Sequence, residues 1–196
     1  MSTKTLAEVR QELGISHIAQ ENNSFKIDPY NSYEGNNDPE DADPADADAS
    51  TGVMIALLPI ISDWCKIELP HMTLVYCGTT DKLKPSDFNE LAKDASMLAS
   101  MNPPLTLSVQ GIKKFGDAND PVLALDIQPS PQLWAMRRAV EKWNASQYGF
   151  DPHCTIGPWG TEVPSYTPRA VAFDRVFVGW GEDNLTFNLK GSVSTY

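Results

Sequence analysis

The chain lacks any apolar run long enough to cross a membrane. Its longest, Val53 to Ile61, is nine residues and is broken by Pro59. A spanning helix needs about twenty, so this segment reads as a buried strand. No apolar stretch follows Met1-Ser2-Thr3-Lys4, and no secretory leader is expected. Cysteine is scarce: Cys65, Cys77 and Cys154 form no Cys-x-x-Cys pair and leave an odd count, which argues against a disulfide framework. Positive charge is also short, with 15 Lys and Arg against 26 Asp and Glu. Eleven of those acids lie in residues 1–50 beside 3 basic residues, so the remainder is nearly balanced. A long basic track is therefore missing. Duplex binding by counterion release over many phosphates is disfavoured, and a small phosphate-bearing ligand is still allowed. With 196 residues, 41% of them hydrophobic, the chain can form one ordinary domain or two small lobes, expected to be soluble and cytoplasmic.

What is present falls into three segments. In residues 1–27, Leu6, Val9 and Leu13 stand at i, i+3 and i+7 ahead of Gly14, the pattern of one short amphipathic arm. Residues 28–50 hold eight acids, three prolines and no basic residue. Such a stretch cannot bury enough apolar surface to offset its ordering entropy, and is expected to be a disordered acidic linker. From residue 51 to 196 strand-like runs appear at 53–58, 72–77, 105–112, 122–127, 154–157, 170–179 and 185–189. Two helices interleave. One opens at Ser86 and puts Phe88, Leu91, Ala92, Ala95, Leu98 and Ala99 on one face. The other has Ser130 as N-cap and Pro131 at its first position, then Leu133, Met136, Val140 and Trp143 on one face. There is no strict strand–helix alternation with a glycine-rich phosphate loop, so the expectation is an α+β domain of antiparallel sheets.

Only three histidines occur, and two sit in nearly the same phrase: Pro70-His71-Met72-Thr73-Leu74 and Pro152-His153-Cys154-Thr155-Ile156. On a strand, residues i and i+2 share a face. His71 and Thr73 should point together, as should His153 and Thr155, while Met72, Leu74, Cys154 and Ile156 pack inward. Pro70 and Pro152 suit the first position of a strand. Two such strands facing one groove would offer one ligand two imidazoles and two hydroxyls. Imidazole suits both halves of a proton transfer, and hydroxyls suit non-bridging phosphate oxygens.

On these motifs, and on the opening strand Val53-Met54-Ile55-Ala56-Leu57-Leu58, residues 51–196 resemble the two-histidine (2H) phosphoesterase superfamily. That group includes 2′-5′ RNA ligase-like proteins, RNA cyclic phosphodiesterases and phage nucleases that destroy cyclic oligonucleotide immune signals. The resemblance implies a bilobal fold, with two antiparallel sheets facing a central groove and helices packed outside. It implies His71 and His153 as a general acid–base pair, and Thr73 and Thr155 as groups steadying charge on the phosphate, with no cofactor and no metal. The implied ligand is a nucleotide or cyclic oligonucleotide, with short RNA ends as the alternative. The phrases TGVMIALLP and PHMTLVYCG also resemble phage-encoded 2H domains. A phage protein would work in the host cytoplasm or on the virion, and the arm 1–27 would then be the place for a protein partner, as in a structural head component. One departure stands out: the family places a helix between the opening strand and the first motif, and here only residues 59–70 intervene.

Competing readings are weaker. Zinc would need a third and fourth ligand, and no Cys or carboxylate occurs at useful spacing beside either histidine. Cys154 alternates away from His153 and reads as core, not as a nucleophile. His17 lies in the arm. Tyr76 has the parity of Met72 and Leu74 and is assigned to the core. Trp159 has the parity of His153 and Thr155 if the strand runs past Pro158, which makes it the candidate stacking wall for a nucleobase. Lys113, Lys114, Arg169 and Arg175 are the nearest candidates for phosphate contacts, with solvated surface the better reading for each.

Overall fold

The computed structural model describes residues 51–116, 121–163 and 167–192, so the arm, the acidic linker and His17 lie outside the described residues. Seven strands run in the order β2-β1-β6-β3-β4-β5, all antiparallel, with β7 also paired to β6. They are β1 (Gly52–Pro59), β2 (Met72–Thr79), β3 (Leu105–Phe115), β4 (Val122–Ile127), β5 (His153–Pro158), β6 (Ala170–Trp180) and β7 (Asp183–Asn188). Helix α1 (Pro85–Met101) packs on β6 and β7, and α2 (Pro131–Ala139) lies beside β2.

The two lobes are halves of one sheet, joined through β3. The first half of β3 pairs with β6 over Leu105–Ser108, and its second half pairs with β4 over Val109–Phe115. The strand is thus longer than its hydrophobic run, because Lys113 and Lys114 continue it with charged side chains. At the opposite ends of the path β2 and β5 come together. Each is tied by a backbone bond to the segment leading into the other: Ala145 N–H donates to Tyr76 O of β2, and Lys66 N–H donates to Ile156 O of β5, each at 2.8 Å.

Strand β1 explains its own unbroken apolar run. All eight residues are buried, because it is central and covered on both faces. Val53, Ile55 and Leu57 enter the main core with α1, while Met54, Ala56 and Leu58 join Phe177 in a second cluster on the opposite face. Each large side chain fully withdrawn from water contributes about 1.5–3 kcal/mol. Leu69 packs on that second cluster. Of the other residues between β1 and β2, where the family has a helix, Trp64 and Cys65 pack with the main core instead.

The helix ends follow their sequence signals. Ser130 Oγ accepts Leu133 N–H at 3.1 Å and Pro131 opens α2. In α1, Pro85 takes the first position and the Asp87 carboxylate accepts Lys84 N–H at 2.8 Å. Helix α2 is shorter than its apolar stripe, and Trp143 lies in a separate 3-10 turn (Glu141–Trp143). Its indole N–H donates to Asp94 on α1 at 2.7 Å.

Gly157, which follows the second motif, has a packing reason. A Cβ built there would meet Thr161 Oγ1 at 2.7 Å and Cγ2 at 3.2 Å. Gly157→Ala should cost about 1–3 kcal/mol of stability in a denaturant titration, the scale of overpacking a tight site. Adding Thr161→Ala should recover most of the loss, and equal losses in the single and double variants would show the contact is unimportant.

Candidate active site

The two histidines are held in the same way. His71 Nδ1 lies 2.8 Å from Leu69 O, and His153 Nδ1 lies 2.7 Å from Asp151 O. A carbonyl can only accept, so each Nδ1 carries the proton and donates it, and in the neutral ring Nε2 keeps a lone pair. The repeated proline has a role in this. It biases the residue before it, Leu69 or Asp151, toward extended backbone, and that residue's carbonyl binds the imidazole two positions on. Pro70 and Pro152 stand just before the strands instead of opening them.

Both histidines are buried, and so is Thr155, while Thr73 is half-buried. His153 Nε2 and Thr155 Oγ1 have no hydrogen-bond partner. Leaving such an atom unpaired costs about 1–3 kcal/mol, and these two lie on adjacent same-face positions. The Phe115 ring lies over His153 with centroids 3.8 Å apart. Burial is the main reason that the His153 pKa is pushed down to about 4; the Asp151 carbonyl and carboxylate oppose this, and the Lys113 and His71 charges reinforce it. His153 is thus neutral at pH 7.

Registers show which other residues share this face. Thr73 pairs with Ala56 and Thr155 with Ala124, while His153 sits across from Asp126. Lys113, between β4 and the loop before β5, bridges Asp126 at 3.0 Å and Asp151 at 2.6 Å, and its ammonium lies 5.4 Å from the Phe115 ring centre. Burial works against that charge, but the two carboxylates overcome it and hold the Lys113 pKa above its ordinary value. Lys113 is therefore an ion-pair centre beside His153, not solvated surface. Lys113→Met should lower stability by about 1–2 kcal/mol, between the values for surface and buried pairs. Lys113→Arg should recover part of it, as thermal melts would reveal.

Two side chains stand where sequence parity did not put them. Pairing of β1 with β2 slips between Ile55 and Ala56, leaving Leu74 as an extra residue. Beyond this bulge the faces exchange, so Val75 is buried in the core and Tyr76 opposite Met54 is half-buried on the site face. The core assignment of Tyr76 is corrected accordingly. A second slip, between Leu123 and Ala124, makes Ile156 the extra residue of β5. The strand ends at Pro158, and Trp159 is 52% exposed with the Lys114 ammonium 5.0 Å from its ring centre. Lys114 alternates along β3 with Lys113 and Phe115.

The other expectations fare unevenly. Met72, Leu74, Cys154 and Ile156 are buried in the main core, as alternation requires. Burial raises the Cys154 thiol pKa, which disfavours a thiolate nucleophile. Arg175 pairs with Asp174 and donates to Pro59 O, and Arg169 is exposed. The segment replacing the family helix reaches both motifs. Leu69 O holds His71, while Cys65 Sγ lies 3.4 Å from Thr155 O. Among the described residues no three His, Cys, Asp or Glu side chains converge as metal ligands, and no helix is long and apolar enough to cross a membrane.

The family model of the 2′-5′ RNA ligase superfamily matches residues 66–177, which include both histidine motifs. No curated protein matches the chain. Among solved structures it is similar to Usb1 of Kluyveromyces marxianus, at 10% identity and a TM-score of 0.52, over 71% of this chain and 98% of that one. It is also similar to E. coli LigT in complex with 3′-AMP, at 18% identity and a TM-score of 0.43, over 71% and 95% of the two chains. The protein TT0787 of Thermus thermophilus aligns at 13% identity and a TM-score of 0.46, over 72% and 100%. With more than half its length inside the family model, the chain belongs to the 2′-5′ RNA ligase superfamily of 2H phosphoesterases.

Proposed function

We propose that the protein is a phosphodiesterase that cleaves a nucleotide phosphodiester by acid–base catalysis between His153 and His71. The observation that carries this reading is the matched pair of buried imidazoles, each with Nδ1–H spent on a backbone carbonyl. His153, neutral through burial, is the base: its Nε2 takes the proton of an attacking hydroxyl or water. As the new P–O bond forms and the old one breaks, His71 in its imidazolium form gives the Nε2 proton to the leaving oxygen. Thr155 and Thr73 donate to the non-bridging oxygens, where negative charge grows. Solvent exchange then restores the starting protonation states. The step as written needs no metal or cofactor.

The preferred substrate is a cyclic oligonucleotide signal of the kind used in antiphage immunity (CBASS), which a phage-encoded enzyme would destroy. Two features support this choice: the phage-like phrasing around the first motif, and the shortage of basic residues for a long RNA. The superfamily match favours a second reading, cleavage of RNA ends bearing a 2′,3′-cyclic phosphate.

A chromatographic product assay in EDTA tests both. Its panel holds 3′,3′-cyclic dinucleotides, cyclic trinucleotides and short RNAs ending in 2′,3′-cyclic phosphate. Cleavage of the cyclic oligonucleotides is expected. Cleavage of the RNA ends alone would select the second reading, and no product from any of them would overturn the phosphodiesterase assignment.

A further inference from the structure

Beside the histidines lies a cavity of about 440 Å³, within the range of small-ligand sites. At one end it is lined by Thr73, Phe115 and Asp151, the neighbours of the two histidines. From there it runs between Tyr76 of β2 and the loop before β5, and reaches Arg137 in the last turn of α2. That loop is built rather than loose: Asn144 Nδ2 donates to Ser146 O at 2.9 Å, and Tyr148 N–H donates to Ser146 Oγ at 3.2 Å.

Arg137 is the unusual member. Its side chain is 6% exposed, and Phe150 covers the guanidinium at 5.5 Å from the ring centre. Its Nη1 pairs with Glu141 Oε2 at 2.5 Å, while Nε has no hydrogen-bond partner. Glu141 itself is 53% exposed and solvated. A guanidinium has five fixed donors, and burying it with donors unmet is costly. An ion pair needed only for structure would sit in water, or would have its donors filled. Here a guanidinium with an unmet Nε donor lines a cavity that is also lined by Thr73, Phe115 and Asp151. A planar fork of donors matches the oxygens of a phosphate, and an aromatic face behind it supports that geometry.

We infer that this cavity is a subsite for a second phosphate of the ligand, bound by Arg137, while the reacting phosphodiester lies at His71 and His153. The placement of the reacting group rests on the phosphodiesterase reading, but the subsite is tested without turnover. Arg137 selects ligands with two phosphates over those with one, and Glu141 competes with the incoming phosphate for the guanidinium.

The test is calorimetric titration of the full chain with adenosine 3′-monophosphate and adenosine 3′,5′-bisphosphate. The bisphosphate should bind wild type roughly tenfold tighter or more, the scale of a charge-assisted bidentate contact. In Arg137→Gln that ratio should fall to about one. Because Arg137 is buried, Glu141→Gln serves as a second variant, and removing the competing carboxylate should widen the ratio. An equal affinity of wild type for the two ligands would overturn the inference, as would a ratio that survives Arg137→Gln or narrows in Glu141→Gln. A wild-type preference for the bisphosphate together with no hydrolysis of any phosphodiester would leave the subsite standing and remove only the catalytic reading.

Discussion

Replacing His153 by alanine should reduce hydrolysis of a susceptible phosphodiester by about 10²–10⁴-fold, the contribution of one positioned proton-transfer group. His71→Ala should cause a loss of the same order. The double variant should be scarcely worse than either single one, because the two act as one unit: without the base the acid has no developing alkoxide to protonate. Thr155→Val and Thr73→Val should cost less, about 10- to 100-fold each, since a donor to phosphate oxygen is worth roughly 1.5–3 kcal/mol. Thr155→Val carries a further consequence. It removes a buried hydroxyl with no partner, so the variant should be as stable as wild type or slightly more so. Loss of turnover with retained or raised melting temperature would distinguish a group kept for chemistry from one kept for packing. Single-turnover rates in EDTA, measured beside thermal melts of each variant, decide the matter. Hydrolysis that persists at the wild-type rate without His153 would end the acid–base assignment.

Much of this arrangement is legible in the chain before any fold is known. The period-2 logic of His-x-Thr places His153 with Thr155, and Cys154 and Ile156 in the core, because over three or four residues a strand has no freedom to do otherwise. The continuous apolar run of β1 signals a strand buried on both faces, and β1 is one. Parity fails where it is extended further. One extra residue, Leu74 in β2 or Ile156 in β5, exchanges the faces of the residues that follow until the next slip, and neither bulge has a glycine or proline at that position to announce it. Counting across such a bulge misplaces Tyr76, and β5 ends before Trp159. Asp126, Asp151, Phe115 and Arg137 escape sequence reasoning for another reason: they meet the site through tertiary pairing of distant segments. A signal for one of them is nevertheless present. In both motifs a proline precedes the histidine, and the residue before that proline supplies the carbonyl that fixes the ring. Leu69 and Asp151 can thus be picked out from the Pro-His repeat itself.

Acid should destabilise the protein through His153 over a defined range. In the unfolded chain a histidine titrates near 6.5, whereas in the folded chain burial holds His153 at about 4. Between these values the unfolded state binds more protons than the folded one, so stability rises with pH across that window. Above about pH 6.5 both states are neutral at this group and the contribution is flat. Below about pH 4 both are protonated, and the accumulated loss is about 3 kcal/mol, a large share of the 5–15 kcal/mol that holds an ordinary domain together. Carboxylates also titrate near the lower end, so the comparison must be internal. His153→Gln keeps a polar side chain in the same place and cannot be protonated. Urea midpoints of wild type and His153→Gln, taken from pH 4 to pH 8, should run parallel above about pH 6.5 and diverge below it, with wild type falling faster. Parallel curves throughout would mean that His153 accepts its proton in the folded state as easily as in water, and a group that does so is not held neutral by burial. The same property sets the reaction's acid limb. If His153 is the base, kcat/KM should hold well below pH 6.5 and decline only as the pH approaches 4, while the protein remains folded. The two measurements therefore share one proton, and a decline of kcat/KM near 6.5 while the urea curves still diverge below that value would mean that His153 is not the base.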